Sequence, residues 1–176
     1  VWMPEKLARQ VAFYEALSQK GVHAGLVYTG VVETDDAGER SRRTLYRSSG
    51  NNYKKLLFMD FVASPSSVMV SKAVLDDVGG FDTRLAAMQD YDLWIRIAQK
   101  YPLYSLDKYL TRYRRREGSM SKNTECMTRD AAAILNKVLA GSDPLLEDPA
   151  FRSKLKAHFA NNSALRWRNA AHSALF

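Results

Sequence analysis

The sequence has little cysteine and histidine, with one Cys and three His in 176 residues. The single Cys126 cannot form an intramolecular disulfide or a cysteine-based zinc site, and it is typical of a reducing compartment. No run reaches the roughly 18 apolar residues that a membrane-spanning helix needs. Residues 1–10 also lack the basic head and apolar core of a signal peptide. These absences favour a cytoplasmic protein, with membrane contact limited to a peripheral one.

Acidic residues are also few relative to basic ones. Nineteen Asp and Glu against 26 Lys and Arg give a formal net charge of +7, which is concentrated in the RSRR run at 40–43 and the RYRRR run at 112–116. This excess suits an anionic partner such as a nucleotide, a phosphorylated lipid, a membrane surface or nucleic acid. Because no RNA- or DNA-binding motif accompanies it, we expect no nucleic-acid partner.

Helix and strand patterns alternate along the chain. Residues 4–20 have helical periodicity and end at Gly21, while residues 23–34 are β-rich without clean alternation, as in a strand buried on both faces. Further strands are predicted after residue 39, at 64–71 and at 102–116, and further helices from 72 to the Gly-Gly pair at 79–80, at 84–100, 123–140 and 149–176. The alternation predicts the α/β class.

The stretch 84–100, RLAAMQDYDLWIRIAQK, predicts an amphipathic helix with one acid in an unexpected place. Asp92 and Arg96 are spaced as a solvated i,i+4 ion pair on its polar face. Asp90 instead heads an apolar stripe that continues through Leu93, Trp94 and Ile97. On spacing alone, an acid in a first helical turn more often complements the helix dipole than it catalyses a reaction.

A group of carboxylates lies around Gly38. Glu33, Asp35, Asp36 and Glu39 could be interpreted as a metal site. The turn residues among them favour a solvated hairpin tip instead.

Four segments, in this order and spacing, resemble the second half of family-2 glycosyltransferases. They are AGLVYTGV, SPSSVMVSKAVLDDVGGFD, QDYDLWIRIAQ and YRRREGSMS. The resemblance covers residues 1–122 and is densest from 64 to 121. It implies a partial GT-A-like (Rossmann-like) mixed sheet flanked by helices, with a helical C-terminal tail. The expected division is an acceptor-side half at 1–122 and a helical extension at 123–176.

The resemblance also implies site residues. These enzymes invert the configuration at the anomeric carbon of the sugar. Their general base is the Asp of a Glu-Asp or Gln-Asp pair, which Gln89 and Asp90 match. Gln89 would hold substrate hydroxyls and Trp94 would form part of the packed floor. The serines of the SPSS run, Ser64, Ser66 and Ser67, would help to form the acceptor pocket, although serines before a helix are more often turn and cap residues.

The basic run near residue 114 has two interpretations. Tyr113 and Arg114 match the family, whereas Arg116 stands where the family commonly has a histidine near the donor diphosphate and metal. Guanidinium groups suit a diphosphate, so Arg114 and Arg116 would contact it, and the resemblance does not extend to metal ligation by Arg116. The alternative is a solvated basic strand end.

The family's donor half, with its nucleoside-binding strands and Asp-x-Asp metal motif, is absent from the sequence. We therefore expect a fragment that is inactive alone, from an enzyme that transfers a sugar from a nucleotide sugar to a hydroxyl acceptor in polysaccharide or glycoconjugate synthesis. Mg²⁺ or Mn²⁺ is expected for the complete enzyme and not for this chain. An unpaired apolar sheet edge would favour self-association. The alternative is a non-catalytic basic module that binds nucleic acid or a membrane surface.

Overall fold

The computed structural model describes residues 1–35, 37–115, 119 and 123–173. They belong to two units. The first contains Val1–Phe81 and Leu93–Glu117, and the second contains Asp82–Asp92 and Gly118–Phe176. The described part of the first unit holds the sheet, and that of the second is helical.

The first unit is built around strand β1 (Leu26–Thr34), in which every residue is buried. β1 is parallel to β5 (Leu103–Arg114) and antiparallel to both β2 (Arg40–Thr44) and β4 (Val68–Val70). The order is β2-β1-β5-β3, where β3 is Ser49–Gly50. Burial along the whole of β1 explains why its sequence lacks an apolar–polar alternation. The predicted mixed sheet and doubly buried strand are confirmed.

The parallel pairing of β1 and β5 depends on a close approach at Gly30. The register shifts on both sides of Gly30, which lies opposite Tyr109. A Cβ at Gly30 would stand 2.6 Å from Cδ1 of the Tyr109 ring. Any larger residue at this position would have to displace the ring.

The helices that lie wholly in the first unit are α1 (Lys6–Gln19), α2 (Tyr53–Leu56) and α3 (Lys72–Val78). α3 ends at Gly79, whose φ of 84° is in the left-handed region that favours glycine. The predicted helix closed by a Gly-Gly pair is therefore confirmed.

Helix α1 is buried through polar side chains instead of its apolar face. Lys6 and Gln10 are buried, and Gln10 Nε2 donates to the carbonyl oxygens of Val27 and Ser67 at 3.0 Å each. Leu7, by contrast, is 56% exposed. The glutamine satisfies backbone groups that burial would otherwise leave unpaired. Apolar periodicity thus predicts the helix but not its buried side.

Helix α4 spans Gln89–Lys100 and begins later than the predicted 84–100 helix. Its first turn belongs to the second unit and its remainder to the first. The buried side chains of that remainder are Leu93, Trp94, Ile95, Ile97 and Ala98. The N–H groups of residues 86–88 are bound by the side chain of Asp130 and do not enter the helix.

The second unit contains helices α5 (Thr124–Ala140) and α6 (Pro149–Ser173), with a 3₁₀ turn at Pro144–Leu146 between them. Its buried apolar side chains include Ile134, Leu146, Phe151, Leu155 and Phe159. The two predicted helices, 123–140 and 149–176, are confirmed over the residues described. None of the helices described in either unit has the length and apolar character to cross a bilayer.

Candidate functional site

Asp90 lies in the first turn of α4 and is partly buried. Its Oδ1 accepts a hydrogen bond from the backbone N–H of Tyr91 at 2.8 Å. Burial raises the pKa of the Asp90 carboxyl, while backbone hydrogen bonds from Tyr91 and from Asp90 itself act in the opposite direction. Asp90 forms no ion pair with the residues described. Such a carboxyl is able to accept a proton.

Gln89 precedes Asp90 and is also partly buried. Its Nε2 donates to the carbonyl oxygen of Leu85 at 2.8 Å, which ties the helix start to the loop before it. The amide nitrogen is therefore engaged within the second unit. Contact of Gln89 with substrate hydroxyls stays a prediction.

Asp92 is a buried structural carboxylate, so its predicted solvated position on the polar face of the helix is wrong. It is 3% exposed, and Lys137 of α5 forms an ion pair with it. Lys137 Nζ also donates to Asp82 Oδ2 at 2.8 Å. Arg96 donates to the carbonyl oxygens of Val78 and Gly80 at 2.5 and 2.6 Å. The prediction failed because the partner of Asp92, Lys137, lies 45 residues away in the sequence, where helical spacing gives no sign of it.

Asp130 of α5 is a residue that the sequence patterns did not indicate. It is 1% exposed, and its Oδ2 accepts the N–H groups of Ala86, Ala87 and Met88 at 2.7, 2.6 and 3.3 Å. Burial alone would raise its pKa, but these bonds and one from Arg129 lower it below its ordinary value. One signal was present in the sequence, because Asp130 stands at helical spacing before apolar residue 134, as Asp90 does before 94.

The serine run forms a tight turn in the first unit. Ser64 Oγ accepts the N–H of Ser66 at 3.2 Å, and the buried Ser67 hydroxyl donates to the carbonyl oxygen of Ser64 at 2.7 Å. The Ser66 side chain is exposed, and its carbonyl oxygen accepts from Nε1 of Trp2. Ser64 and Ser67 therefore serve as cap and turn residues, and contact of Ser66 and Ser67 with an acceptor stays a prediction.

Trp94 is 2% exposed, as a packed floor requires. Its indole N–H has no hydrogen-bond partner among the residues that the structure describes. Buried indole donors are usually satisfied.

The basic end of β5 is only partly described. Arg114 is the last residue of the strand and is exposed, while Arg116 lies outside the described residues. Arg115 between them is fixed to β1: its Nε donates to Glu33 Oε2 at 2.7 Å and its backbone N–H donates to Thr34 O at 2.9 Å. Contact of Arg114 and Arg116 with a diphosphate stays a prediction.

The carboxylates around Gly38 do not fit a metal site in the part of the chain that is described. Glu33 is buried and paired with Arg115, and Asp35 Oδ1 accepts the N–H of Glu39 at 2.9 Å. Asp36 lies outside the described residues. Among the described residues, no three His, Cys, Asp or Glu side chains are placed to share a metal ion. The exposed Asp35 and Glu39 agree with a solvated hairpin tip, whereas Glu33 does not.

Comparison with known proteins identifies the family. The profile of glycosyltransferase-like family 2 matches residues 1–140. The chain belongs to this family. The match includes all of α5, with Asp130 and Lys137, and so extends past the 122 residues of the sequence resemblance.

A solved structure has a similar fold. The crystal structure of S. aureus TarS 1-349 is similar with a TM-score of 0.51 and 13% identity, over 94% of this chain and 50% of that one. The family-2 chain thus spans about half the length of TarS 1-349. At this identity the likeness shows the fold, and it confirms the predicted GT-A-like α/β architecture. No curated protein matches the chain.

Proposed function

We propose that the chain is the acceptor-side portion of an inverting glycosyltransferase, which moves a sugar from a nucleotide sugar to a hydroxyl acceptor. Family membership supports glycosyl transfer as the reaction class. The observation that carries the proposal at the residue level is Asp90, a partly buried carboxyl with a raised pKa in the Gln-Asp pair. The product would be a cell-surface polysaccharide or glycoconjugate.

Asp90 acts as the general base. Its carboxylate takes the proton of the acceptor hydroxyl while the acceptor oxygen forms a bond to the anomeric carbon. The bond from that carbon to the diphosphate oxygen breaks on the opposite face, and the nucleoside diphosphate leaves with the electron pair. This single displacement inverts the anomeric centre. A raised pKa makes Asp90 a stronger base than an ordinary aspartate.

The remaining site residues bind and orient the substrates. Gln89 contacts substrate hydroxyls through its amide oxygen and its second amide N–H, because the first N–H donates to the Leu85 carbonyl oxygen. Trp94 forms the floor. Of Ser66 and Ser67, the exposed Ser66 is the better contact for the acceptor, since the Ser67 hydroxyl is engaged within its own turn.

The donor side completes the proposal. Arg114 and Arg116 contact the diphosphate of the nucleotide sugar through their guanidinium groups. Mg²⁺ or Mn²⁺ is expected in the complete enzyme, where the family's Asp-x-Asp motif would hold it. The chain alone would then be inactive. Cytoplasmic location, peripheral membrane contact and self-association are further parts of this proposal.

The test is turnover by the natural protein that contains this chain, with UDP-glucose, UDP-N-acetylglucosamine and GDP-mannose as donor probes and released nucleoside diphosphate as the readout. Asp90→Asn should lower turnover by on the order of 10²–10⁴ and leave donor binding unchanged. Glu125→Gln, at an exposed first-turn acid of α5, is the matched control and should have no effect. Near-normal turnover of Asp90→Asn would reject Asp90 as the base. A binding module would turn over none of these donors.

A further inference from the structure

Helix α5 holds the loop that leads into the proposed base. Asp130 Oδ2 accepts three consecutive backbone N–H groups, from residues 86, 87 and 88. The Met88 carbonyl in turn accepts the N–H of Asp92 at 3.1 Å, so the helical bonding of α4 begins at Met88. Asp130 thus binds, from a distant helix, the three N–H groups that immediately precede the first turn of α4.

The carboxylate of Asp130 is fully engaged by these groups. It is 1% exposed, and its Oδ1 accepts from Nε and one terminal nitrogen of Arg129 at 3.3 and 3.2 Å. A charged acceptor bound to several N–H groups in a buried position makes strong, directional hydrogen bonds. The backbone of 86–88 is thus held in one place relative to α5.

A second contact from α5 fixes both sides of this loop. Lys137 follows Asp130 by seven residues, so both side chains lie on the same face of the helix. Lys137 binds Asp82 before the loop and Asp92 after it. Gln89 and Asp90 lie between the Asp130 and Lys137 contacts.

We propose that Asp130 is a positioning residue for glycosyl transfer: by binding the N–H groups of residues 86–88, it sets the place of Asp90 at the start of α4. The inference rests on the proposed function of Asp90. Met88 is two residues before Asp90, so a displaced loop displaces the base with it. A shift of about 1 Å in a reacting group can lower a rate about 100-fold. In this proposal Asp130 acts on Asp90 through the backbone of residues 86–88 and does not itself contact a substrate.

The experiment compares Asp130→Asn in the wild-type and Asp90→Asn backgrounds of the same natural protein, with the donor probes above. Asp130→Asn should lower kcat about tenfold or more, by the sensitivity of rate to position, with little change in the donor KM. In the Asp90→Asn background it should cause no further loss, because there is no base left to misplace. Asp130→Glu keeps the charge and shifts it by about one methylene, and should give an intermediate kcat. Glu125→Gln is the control on the same helix.

The outcomes distinguish an effect on the position of Asp90 from a general loss of protein stability. The inference would be overturned if Asp130→Asn lowered kcat by the same factor in both backgrounds, or if folded Asp130→Asn had a wild-type kcat. If Asp130→Asn does not fold, Asp130→Glu carries the same two-background comparison, and a wild-type kcat there would overturn it as well. If Asp90→Asn alone leaves turnover unchanged, the proposed base fails, and the inference fails with it. If Asp90→Asn abolishes turnover and only the Asp130 result is negative, the proposed base stands.

Discussion

At the scale of single residues, two aspartates of the second unit have environments that shift their pKa in opposite directions. Burial raises the pKa of Asp90, whose carboxyl accepts few hydrogen bonds. Asp130 is also buried, but the N–H groups of residues 86–88 lower its pKa. The first environment leaves a carboxyl that can take up a proton, and the second keeps a carboxylate ionised for a structural purpose.

The opposite pKa shifts predict that Asp90→Asn and Asp130→Asn have opposite effects on the free energy of unfolding. Because the folded pKa of Asp90 is raised, the folded state binds more protons than the unfolded state as pH rises from the unfolded pKa of about 3.9, and stability falls across that window. Asp90→Asn should therefore increase the free energy of unfolding at pH 7 relative to wild type, and the difference should shrink below about pH 4. Urea unfolding of the chain at several pH values measures this.

Asp130→Asn is the companion measurement. The folded pKa of Asp130 is lowered, so its contribution is present at neutral pH and is lost as pH falls through the folded pKa. This substitution should lower the free energy of unfolding at pH 7. Destabilisation by Asp90→Asn at pH 7 would contradict the environment assigned to that carboxyl.

At the scale of elements, local patterns predicted what local chemistry determines. The lack of alternation in residues 26–34 predicted a doubly buried strand, and the Gly-Gly pair at 79–80 predicted the end of α3. The start of α4 was predicted five residues early, at 84 against Gln89, because Asp130 binds the N–H groups of 86–88 from a distant part of the chain. The sequence near residue 84 contains no pattern for a contact made by a residue of another helix.

In the candidate site, too, the sequence predicts local features and misses contacts between distant residues. The sequence predicts Asp90 as the base from its place in the Gln-Asp pair, and that role stays a prediction. The burial of Asp92 could not, because Asp92 and Arg96 match the spacing of an exposed pair while Lys137 lies on another helix. The support of the site is therefore tertiary, and the sequence of α4 alone does not contain it.

Lys137 provides a test at this scale. Lys137→Met should lower the free energy of unfolding by about 1–3 kcal/mol, because it removes an ion-pair partner of the buried Asp92 and of Asp82. Lys156→Met, at an exposed position of α6, is the control and should change stability by less than about 0.5 kcal/mol. Urea denaturation of both variants measures the difference. If Lys137→Met were as stable as Lys156→Met, Lys137 would not hold the 82–92 segment.

At the scale of the whole molecule, the family match and the fold agree, and they leave the chemistry as a proposal. The family profile covers residues 1–140, and the likeness to TarS 1-349 covers about half of that chain. The net charge of +7 suits a nucleotide donor as well as any other anionic partner. What distinguishes a transferase from a binding module is a working base.

The most direct test of that base is the pH dependence of kcat/KM in the natural protein that contains this chain. A general base must be deprotonated, so the rate should fall as pH decreases through the raised pKa of Asp90. The residual activity of Asp90→Asn should lack this acidic limb, while Glu125→Gln should retain it. The same acidic limb in Asp90→Asn and in wild type would contradict the assignment of Asp90 as the base.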